Sequence, residues 1–366
     1  MNQRKIIHRF SPNRKRGTER TRSRVLILYN EPVLLPGQPD YDSEQEILEM
    51  VHAVENNLEQ VGFPVTRLGV NNDPENLFAG LKEIKPEVVF NLFEGTADHG
   101  QTEAFVAGLL EWLKIPFTGS PYNTLCVARE KPLTKNLLRG AGLPTPAYFV
   151  VEEPRYPQCQ LDWPVIVKPA NQDASVGLDQ GSVVTDHAQL QRRIHWVLET
   201  YGPPVLVEEF IGGREINVGL IEAPHLATLP FGEIMFKENG PNFWPIVTYE
   251  AKWKPGSRDY EATPAHYPAK INPKLAGRIG DLAKRAYRLL GCRDYARVDF
   301  RLRLNGKPYI LEVNPNPDFS PNAGFTGGLK CAGITHAQFT VDLVKRALAR
   351  GRQTVNQPAL GELVQS

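Results

Sequence analysis

The chain has 366 residues, 41% of them apolar and 23% charged, which is typical of soluble proteins with two or three domains. No apolar run approaches the roughly 20 residues of a membrane-spanning helix. The 4 cysteines are too scattered to predict a zinc site or a disulfide framework, so we expect a cytoplasmic protein. The net charge of +1 conceals a basic leader: residues 1–24 carry nine Lys or Arg residues and one acid. We expect residues 1–23 to be disordered rather than to bind nucleic acid, since this leader contains no folded motif.

The first part of the chain alternates predicted strands and helices. The predicted elements are strand 24–30, a helix from Asp42 or Ser43 to about Val61, strand 88–93, helix 101–114 and strand 115–119. Such alternation is typical of a parallel sheet, so we predict that residues 24–127 form a Rossmann-like domain. The first strand is not followed by a G-x-G-x-x-G motif, and dinucleotide binding is therefore not supported.

The second part has a different pattern, with strands that are not regularly separated by helices. The predicted elements are helix 128–141, strand 165–168, helix 187–201, strands 205–208 and 215–221, helix 273–290, a hairpin at 296–314 and a last helix near 334–350. We divide this part into a central subdomain (residues 128–207), a C-terminal domain (residues 208–350) and a loose tail (residues 351–366). The predicted fold class is α/β, with α+β character in the C-terminal part.

The hairpin is the most informative segment. Polar and apolar residues alternate on its first arm, as in a strand with two unlike faces. Asn305-Gly306 predicts a two-residue type I′ turn, in which Leu304 pairs with Lys307. This register places Arg297 opposite Asn314 and Asp299 opposite Glu312, and it directs five side chains into a core: Val298, Phe300, Leu302, Leu311 and Val313.

The polar face of this hairpin predicts a metal site. Directly opposed side chains on one face have Cβ atoms roughly 5 Å apart. Two carboxylates at that distance, Asp299 and Glu312, repel each other unless a cation lies between them. Together with Asn314 they form an oxygen ligand set that suits Mg²⁺ bound with substrate phosphates. The alternative is a surface ladder in which Arg297 neutralises the acids.

These residues resemble the ATP-grasp superfamily and, within it, the D-alanine–D-alanine ligases. The resemblance spans residues 24–350, nearly all of the chain expected to be ordered. Its motifs are Val167-Lys168-Pro169 with Ser175-Val176-Gly177, Glu208-Glu209-Phe210-Ile211 with Glu215, Tyr249-Glu250-Ala251-Lys252, and Arg297-x-Asp299 with Glu312-x-Asn314. It implies an ATP-grasp fold preceded by a Rossmann-like domain, with ATP and Mg²⁺, or Mn²⁺ in its place, as cofactors.

The resemblance assigns roles to individual residues. Lys131, Lys168 and Lys252 match lysines that contact ATP phosphates. The loop Ala174-Ser175-Val176-Gly177 matches one that covers the phosphates, residues 208–211 match the strand beside adenine, and Glu215 matches the ribose ligand. The resemblance also implies that Asp299, Glu312 and Asn314 bind the metal and that Arg297 stabilises the reacting centre.

The substrate half matches less well. Glu44 aligns with the family glutamate that holds the first amino group, but Ala174 and Trp253 replace its expected serine and tyrosine partners. Glu94 stands where the family has histidine. Asp318 replaces a glycine, and Ala323, followed by Gly324, replaces a serine that grips the second substrate.

We therefore expect an ATP- and Mg²⁺-dependent ligase that joins a carboxylate to an amine through an acyl phosphate, with amino acids or peptides as substrates. Three alternatives stay open: a true D-alanine–D-alanine ligase of cell-wall precursor synthesis, a nucleotide-binding protein without catalysis, and a phosphoryl transferase that forms no amide. The resemblance also allows a homodimer.

Overall fold

The computed structural model describes residues 23–32, 41–96, 100–154, 158–172, 175–222, 224–238, 243–321 and 323–355, with side chains omitted at 41–46 and 354–355. The chain forms two compact units. Unit 1 contains the described residues up to 125, residues 293–295 and the described residues from 318 onward. Unit 2 contains the described residues of 126–292 and 296–317. The basic leader lies outside the described residues.

Unit 1 contains a parallel sheet in the order β2-β1-β3. The four residues Val25 to Leu28 of β1 are fully buried, as expected for a strand covered on both faces. The elements of this part are β1 (Val25–Asn30), α1 (Tyr41–Glu59), β2 (Val65–Val70), α2 (Pro74–Ile84), β3 (Val88–Leu92), α3 (Thr102–Trp112), α4 (Tyr122–Arg129, which extends into unit 2), α10 (Gly324–Cys331) and α11 (His336–Val355). The predicted Rossmann-like parallel sheet is confirmed.

Unit 2 begins with α5 and a four-stranded antiparallel sheet in the order β4-β7-β5-β6. Alternate residues of β5 and β7, among them Val165, Val167, Val205 and Val207, are fully buried against one helix. The elements are α5 (Lys131–Gly140), β4 (Tyr148–Val151), β5 (Val165–Pro169), β6 (Val183–Val184), α6 (His187–Tyr201) and β7 (Val205–Glu209).

The rest of unit 2 contains a second sheet in the order β11-β10-β8-β12-β13, with β9 paired to β8. The amphipathic helix α9 covers it through Ile279, Ala283 and Ala286, which pack with β8 and β12 in one core. The elements are β8 (Arg214–Glu222), β9 (Leu226–Thr228), β10 (Gly232–Ile234), α7 (Tyr249–Trp253), α8 (Arg258–Ala262), β11 (Ala265–His266), α9 (Pro273–Leu290), β12 (Tyr295–Leu302) and β13 (Pro308–Asn314).

The β12–β13 hairpin confirms the two predicted functional pairs but not the predicted turn. The turn is one residue longer, because the Arg303 N–H donates to Lys307 O and the Gly306 N–H donates to Arg303 O. Gly306 has φ +78°, as in a three-residue loop that ends in a left-handed residue.

A shift of register between Asp299 and Phe300 compensates for the longer turn. Phe300 pairs with Ile310, and Leu311 is the extra residue of β13. The core position predicted for Leu311 is therefore wrong, since Ile310 is fully buried in its place. Beyond the bulge, Asp299 pairs with Glu312 and Arg297 with Asn314, as predicted.

Other differences have local causes. The predicted helix 128–141 is broken at Glu130, which caps α5, because Pro132 lacks the N–H that a continuous helix requires. The predicted strand 115–119 forms only a bridge between Val89 and Phe117. The last helix continues to Val355, so the first residues of the predicted loose tail are helical. Among the described helices, none is long and apolar enough to cross a membrane.

Candidate active site

The polar face of the hairpin belongs to unit 2 and is not a surface ladder: Asp299 is buried, and Arg297, Glu312 and Asn314 are half-buried. Asp299 is only 4% exposed. Arg297 from the same strand binds both of its carboxylate oxygens: Nε donates to Oδ1 at 2.8 Å and Nη2 donates to Oδ2 at 2.8 Å. Asn314 Nδ2, across the hairpin, donates to Asp299 Oδ2 at 3.0 Å and to Glu312 Oε1 at 3.3 Å. All four predicted residues thus meet in one cluster.

A residue of β8 completes the cluster. Asn217 Nδ2 donates to Asp299 Oδ1 at 2.7 Å. Burial raises the pKa of Asp299, although the charge of Arg297 and the bond from Asn217 oppose this rise. Asp299 is therefore a desolvated carboxyl group that accepts hydrogen bonds from three strands: from Arg297 on β12, Asn314 on β13 and Asn217 on β8.

Three cationic side chains act on Glu312. Burial alone would raise its pKa, but the charges of Lys131, Lys168 and Arg297 lower it to about 2. Lys131 lies at the start of α5, and its Nζ donates to Gln172 O. The cluster therefore combines two carboxylates with a larger number of cations, an arrangement that attracts further negative charge.

Glu208 forms a buried ionic cluster with two lysines. Lys135 Nζ contacts its Oε1, and Lys168 Nζ contacts its Oε2. Burial opposes ionisation of Glu208, but the two positive charges outweigh it and hold the pKa of the carboxyl group below its ordinary value. Burial lowers the pKa of Lys135, whose Nζ also donates to Leu311 O at 3.1 Å and to Thr145 Oγ1 at 3.2 Å. Lys135 thus joins α5 to β7 and β13.

Two further ion pairs, one from β12 and one from Arg303 just after it, reach the residues predicted to contact the nucleoside. Arg303 pairs with Glu209, and Arg301 Nη2 lies 3.0 Å from Glu215 Oε2. Burial raises the pKa of Glu215, and Asp299 and Glu312 add to that rise while Arg301 opposes it. Of the remaining two residues of the motif, Ile211 is buried, and the ring of Phe210 lies edge-on to Trp244 at 5.4 Å.

The described part of the predicted phosphate loop needs glycine at residue 177. Gly177 has φ +75°, and a Cβ there would lie 2.7 Å from Pro169 Cγ. Ser175 also has a left-handed conformation, with φ +64°, and Val176 lies between the two. Ala174 falls outside the described residues. Small residues in such turns let backbone N–H groups approach an anion.

Lys252 lies in the short helix α7. Thr248 caps this helix by accepting a hydrogen bond from the Ala251 N–H at 3.1 Å. The ammonium group of Lys252 lies 4.7 Å from the ring centre of Trp253, the residue that replaces the expected tyrosine. Lys252 belongs to unit 2 with the other predicted ATP ligands.

The predicted substrate residues belong to unit 1. Glu94 is exposed, and its N–H donates to Asn30 Oδ1 at 2.8 Å. Asp318 Oδ1 accepts from the Ser320 N–H at 2.8 Å. Ala323 is the N-cap of α10, and Gly324 is its first residue. Glu44 lies on α1, and its side chain is outside the described residues.

Three site residues were missed from the sequence: Lys135, Asn217 and Arg301. Each follows an assigned residue on the same helix or strand, by about one turn of the helix or by two residues of the strand. Lys135 comes four residues after Lys131 on α5, Asn217 two after Glu215 on β8, and Arg301 two after Asp299 on β12. This spacing places each on the same face as an assigned residue and could have identified it.

Comparison with known proteins agrees with this geometry. The family described as D-ala D-ala ligase C-terminus matches residues 137–345. A D-alanine–D-alanine ligase of Gloeobacter violaceus is 32% identical over 84% of this chain and 97% of its own. An uncharacterized protein of Sinorhizobium fredii is 35% identical over 68% of this chain and 71% of its own. The crystal structure of a Bacillus anthracis D-alanine–D-alanine ligase complexed with ATP has a TM-score of 0.68 and 20% identity, over 91% of this chain and 100% of that one.

The fold is therefore that of an ATP-grasp protein, as predicted. Within that class, the chain belongs to the D-alanine–D-alanine ligase family. This family consists of ATP-dependent ligases that form C–N bonds, so the predicted resemblance and enzyme class are confirmed.

Proposed function

We propose that this chain uses ATP and Mg²⁺ to join the carboxylate of one amino acid or peptide to the amine of another. The observation that carries the proposal is the cluster of Arg297, Glu312 and Asn314 around the buried Asp299, beside Lys131 and Lys168. A purely structural hairpin would gain little from two desolvated carboxylates, because burying charges is costly. Phosphoryl transfer requires such an arrangement of carboxylates and cations.

The residues of unit 2 suit an adenine nucleotide. Lys131, Lys168 and Lys252 supply point charges for the phosphates, and the backbone around Gly177 can approach them closely. The segment from Glu208 to Ile211, at the end of β7 and just beyond it, lies beside the adenine, and Glu215 takes the ribose hydroxyls. The crystal structure of the Bacillus anthracis ligase, which shares the fold, contains ATP and supports ATP as the nucleotide.

The donor set also fits Mg²⁺. Within the described residues, no cluster of three or more His, Cys, Asp or Glu side chains could hold a metal. The proposed ligands are instead two carboxylates and one amide, and such oxygen ligands leave positions for phosphate oxygens and water. Asp299 and Glu312 would hold the ion, with Asn314 after its amide rotates to present Oδ1. When bound, Mg²⁺ neutralises phosphate charge.

The proposed reaction has two steps. An oxygen of the substrate carboxylate attacks the γ-phosphorus, the bond to the β,γ-bridging oxygen breaks, and ADP leaves. The amine then attacks the acyl carbon, phosphate leaves with the carboxylate-derived oxygen, and the amine loses a proton. Arg297 stabilises the negative charge that develops on oxygen in both steps, and the lysines orient the phosphates.

The substrate pair is proposed as a class. Glu94, Asp318 and Ala323 differ from the ligase pattern, and losing a charge-assisted hydrogen bond costs about 1.5–3 kcal/mol. We therefore favour a related amino-acid or peptide ligase. D-Alanine with D-alanine is the second candidate, favoured by relatives named for that reaction. A cytoplasmic location and a homodimer stay predictions.

Phosphate release tests the proposal. Full-length protein with ATP and Mg²⁺ is incubated with a panel of D- and L-amino acids and dipeptides, and products are identified by mass spectrometry. We expect phosphate and an amide for some pair, and loss of both in Asp299→Ala. Phosphate with D-alanine alone would identify the second candidate. A phosphorylated acid without an amide, or no release across the panel, would contradict ligation.

A further inference from the structure

The side chain of Gln180 connects two segments that carry proposed phosphate contacts. It lies in the loop of residues 175–182, between β5 and β6. Its Nε2 donates to Asp259 Oδ2 at 3.3 Å, and its Oε1 accepts from the Trp244 N–H at 2.6 Å. Both ends of the amide therefore bind the segment from Trp244 to Asp259. A backbone bond from the Tyr249 N–H to Leu178 O, at 2.9 Å, runs beside this link.

The link continues from Asp259 to Lys252. Asp259 Oδ2 also accepts from Thr248 Oγ1 at 2.6 Å. Thr248 caps α7, the helix that carries Lys252. Because Asp259 and Thr248 are 9% and 1% exposed, water competes little for these bonds. A change at Gln180 can therefore reach the helix of Lys252 through two hydrogen bonds, a part-buried one to Asp259 and a buried one from Thr248 to Asp259.

The opposite side of the same loop is held by α6. Arg193 Nη1 lies 2.9 Å from Asp179 Oδ2, and its Nη2 donates to Gly177 O at 2.7 Å and to Ser182 Oγ at 2.8 Å. Arg193 thus fixes the loop to α6. Gln180 in turn joins the loop to the segment that carries Lys252, through its hydrogen bonds with Trp244 and Asp259.

We infer that Gln180 is a positioning residue for nucleotide binding, which acts by holding Lys252 in register with the loop of residues 175–182. This inference rests on the proposed function, because it assumes that Lys252 and this loop contact the same nucleotide. It assigns to Gln180 a role that none of the matched family motifs contains. The physical basis is preorganisation, since a lysine that is already placed loses less side-chain freedom when phosphate binds.

A double-mutant cycle on nucleotide affinity tests the inference. The Kd for Mg²⁺-ATP is measured by calorimetry for the wild type, Gln180→Ala, Lys252→Ala and the double variant, all full length. We expect Gln180→Ala to raise Kd about tenfold in the wild-type background and by less than about twofold in the Lys252→Ala background. Gln189→Ala is the matched control, because it also loses side-chain hydrogen bonds, to Thr185 and Asp186, but none of these bonds reaches residues 244–259.

The outcomes separate this inference from the proposed function. If the wild type does not bind Mg²⁺-ATP, the proposed function fails. If it binds and Gln180→Ala matches the control, or if the two substitutions are additive, the positioning role is refuted. If Gln180→Ala does not fold, Gln180→Glu takes its place in the experiment. The glutamate can still accept the hydrogen bond from the Trp244 N–H, but it cannot donate one to Asp259. It should weaken binding in the same Lys252-dependent way.

Discussion

Replacing Lys135 with methionine should destabilise unit 2 by an amount set by its buried ionic contacts. Lys135 is 1% exposed and contacts Glu208, Thr145 and the backbone of Leu311. Methionine nearly preserves the side-chain length, so the substitution removes the charge and its hydrogen bonds with little change in packing. Glu208 would then have one cationic partner, Lys168, in place of two.

The magnitude follows from the burial of Glu208, which is 1% exposed. Removing one partner of a buried ion pair typically costs about 3–5 kcal/mol. Because Lys168 remains and neutralises part of the charge, we expect the lower end, about 3 kcal/mol. The pKa of Glu208 should also rise, since one of the two charges that lower it is gone. The free energy of unfolding should therefore depend less steeply on pH on the acid side than in the wild type, because less stabilisation is lost when Glu208 is protonated.

Urea unfolding followed by circular dichroism measures this change. Lys274→Met on the exposed start of α9 is the control, and it should change the free energy of unfolding by less than about 0.5 kcal/mol. If Lys135→Met were as stable as this control, the cluster would not carry the free energy that its burial implies.

Three further predictions concern the site. Gly177→Ala should lower the free energy of unfolding by about 2 kcal/mol and weaken ATP binding. Gly142→Ala is the control in thermal unfolding: Gly142 also has a positive φ, but an added Cβ would meet no atom within 4 Å, so this variant should be less destabilised. Because folding lowers the pKa of Glu208, its ionised carboxylate stabilises the folded protein fully at pH values above its ordinary pKa of 4.5. This stabilisation is lost as the pH falls through the pKa of Glu208 in the folded protein. Glu208→Gln should therefore flatten the pH dependence of unfolding on the acid side, and an unchanged slope would contradict this. Asn217→Ala removes the 2.7 Å bond to Asp299 and should lower kcat/KM about tenfold in phosphate release, and equal rates would exclude a role.

The hairpin shows what the sequence could and could not predict. Alternation and an Asn-Gly pair correctly predicted the pairing of Asp299 with Glu312, although two errors cancelled to give that result. The turn is one residue longer than a type I′ turn, and the bulge at Leu311 restores the register. Local turn preference predicts neither feature, because the bulge depends on which of Ile310 and Leu311 fits the core beneath the sheet.

One physical reason explains why three residues of the site were not predicted from the sequence. Lys135, Asn217 and Arg301 act through partners 73, 82 and 86 positions away in the chain. A charged side chain on a helix is usually exposed, and its burial depends on tertiary contacts that its own segment does not encode. The assigned residues could be identified from the sequence because they lie in short motifs of fixed spacing. The strand β2 and helix α2 were also missed, since β2 is only partly buried and its pattern is weak.

The fate of the carboxylate oxygen tests most directly the claim that this hairpin serves transfer of a phosphoryl group to a carboxylate. The acid identified in the panel is labelled with ¹⁸O in its carboxylate and turned over with ATP, Mg²⁺ and the amine. We predict one ¹⁸O atom in each phosphate released, because that oxygen becomes bonded to phosphorus in the acyl phosphate and leaves with the phosphate when the amine attacks the acyl carbon. Unlabelled phosphate released together with the amide would contradict the acyl-phosphate mechanism.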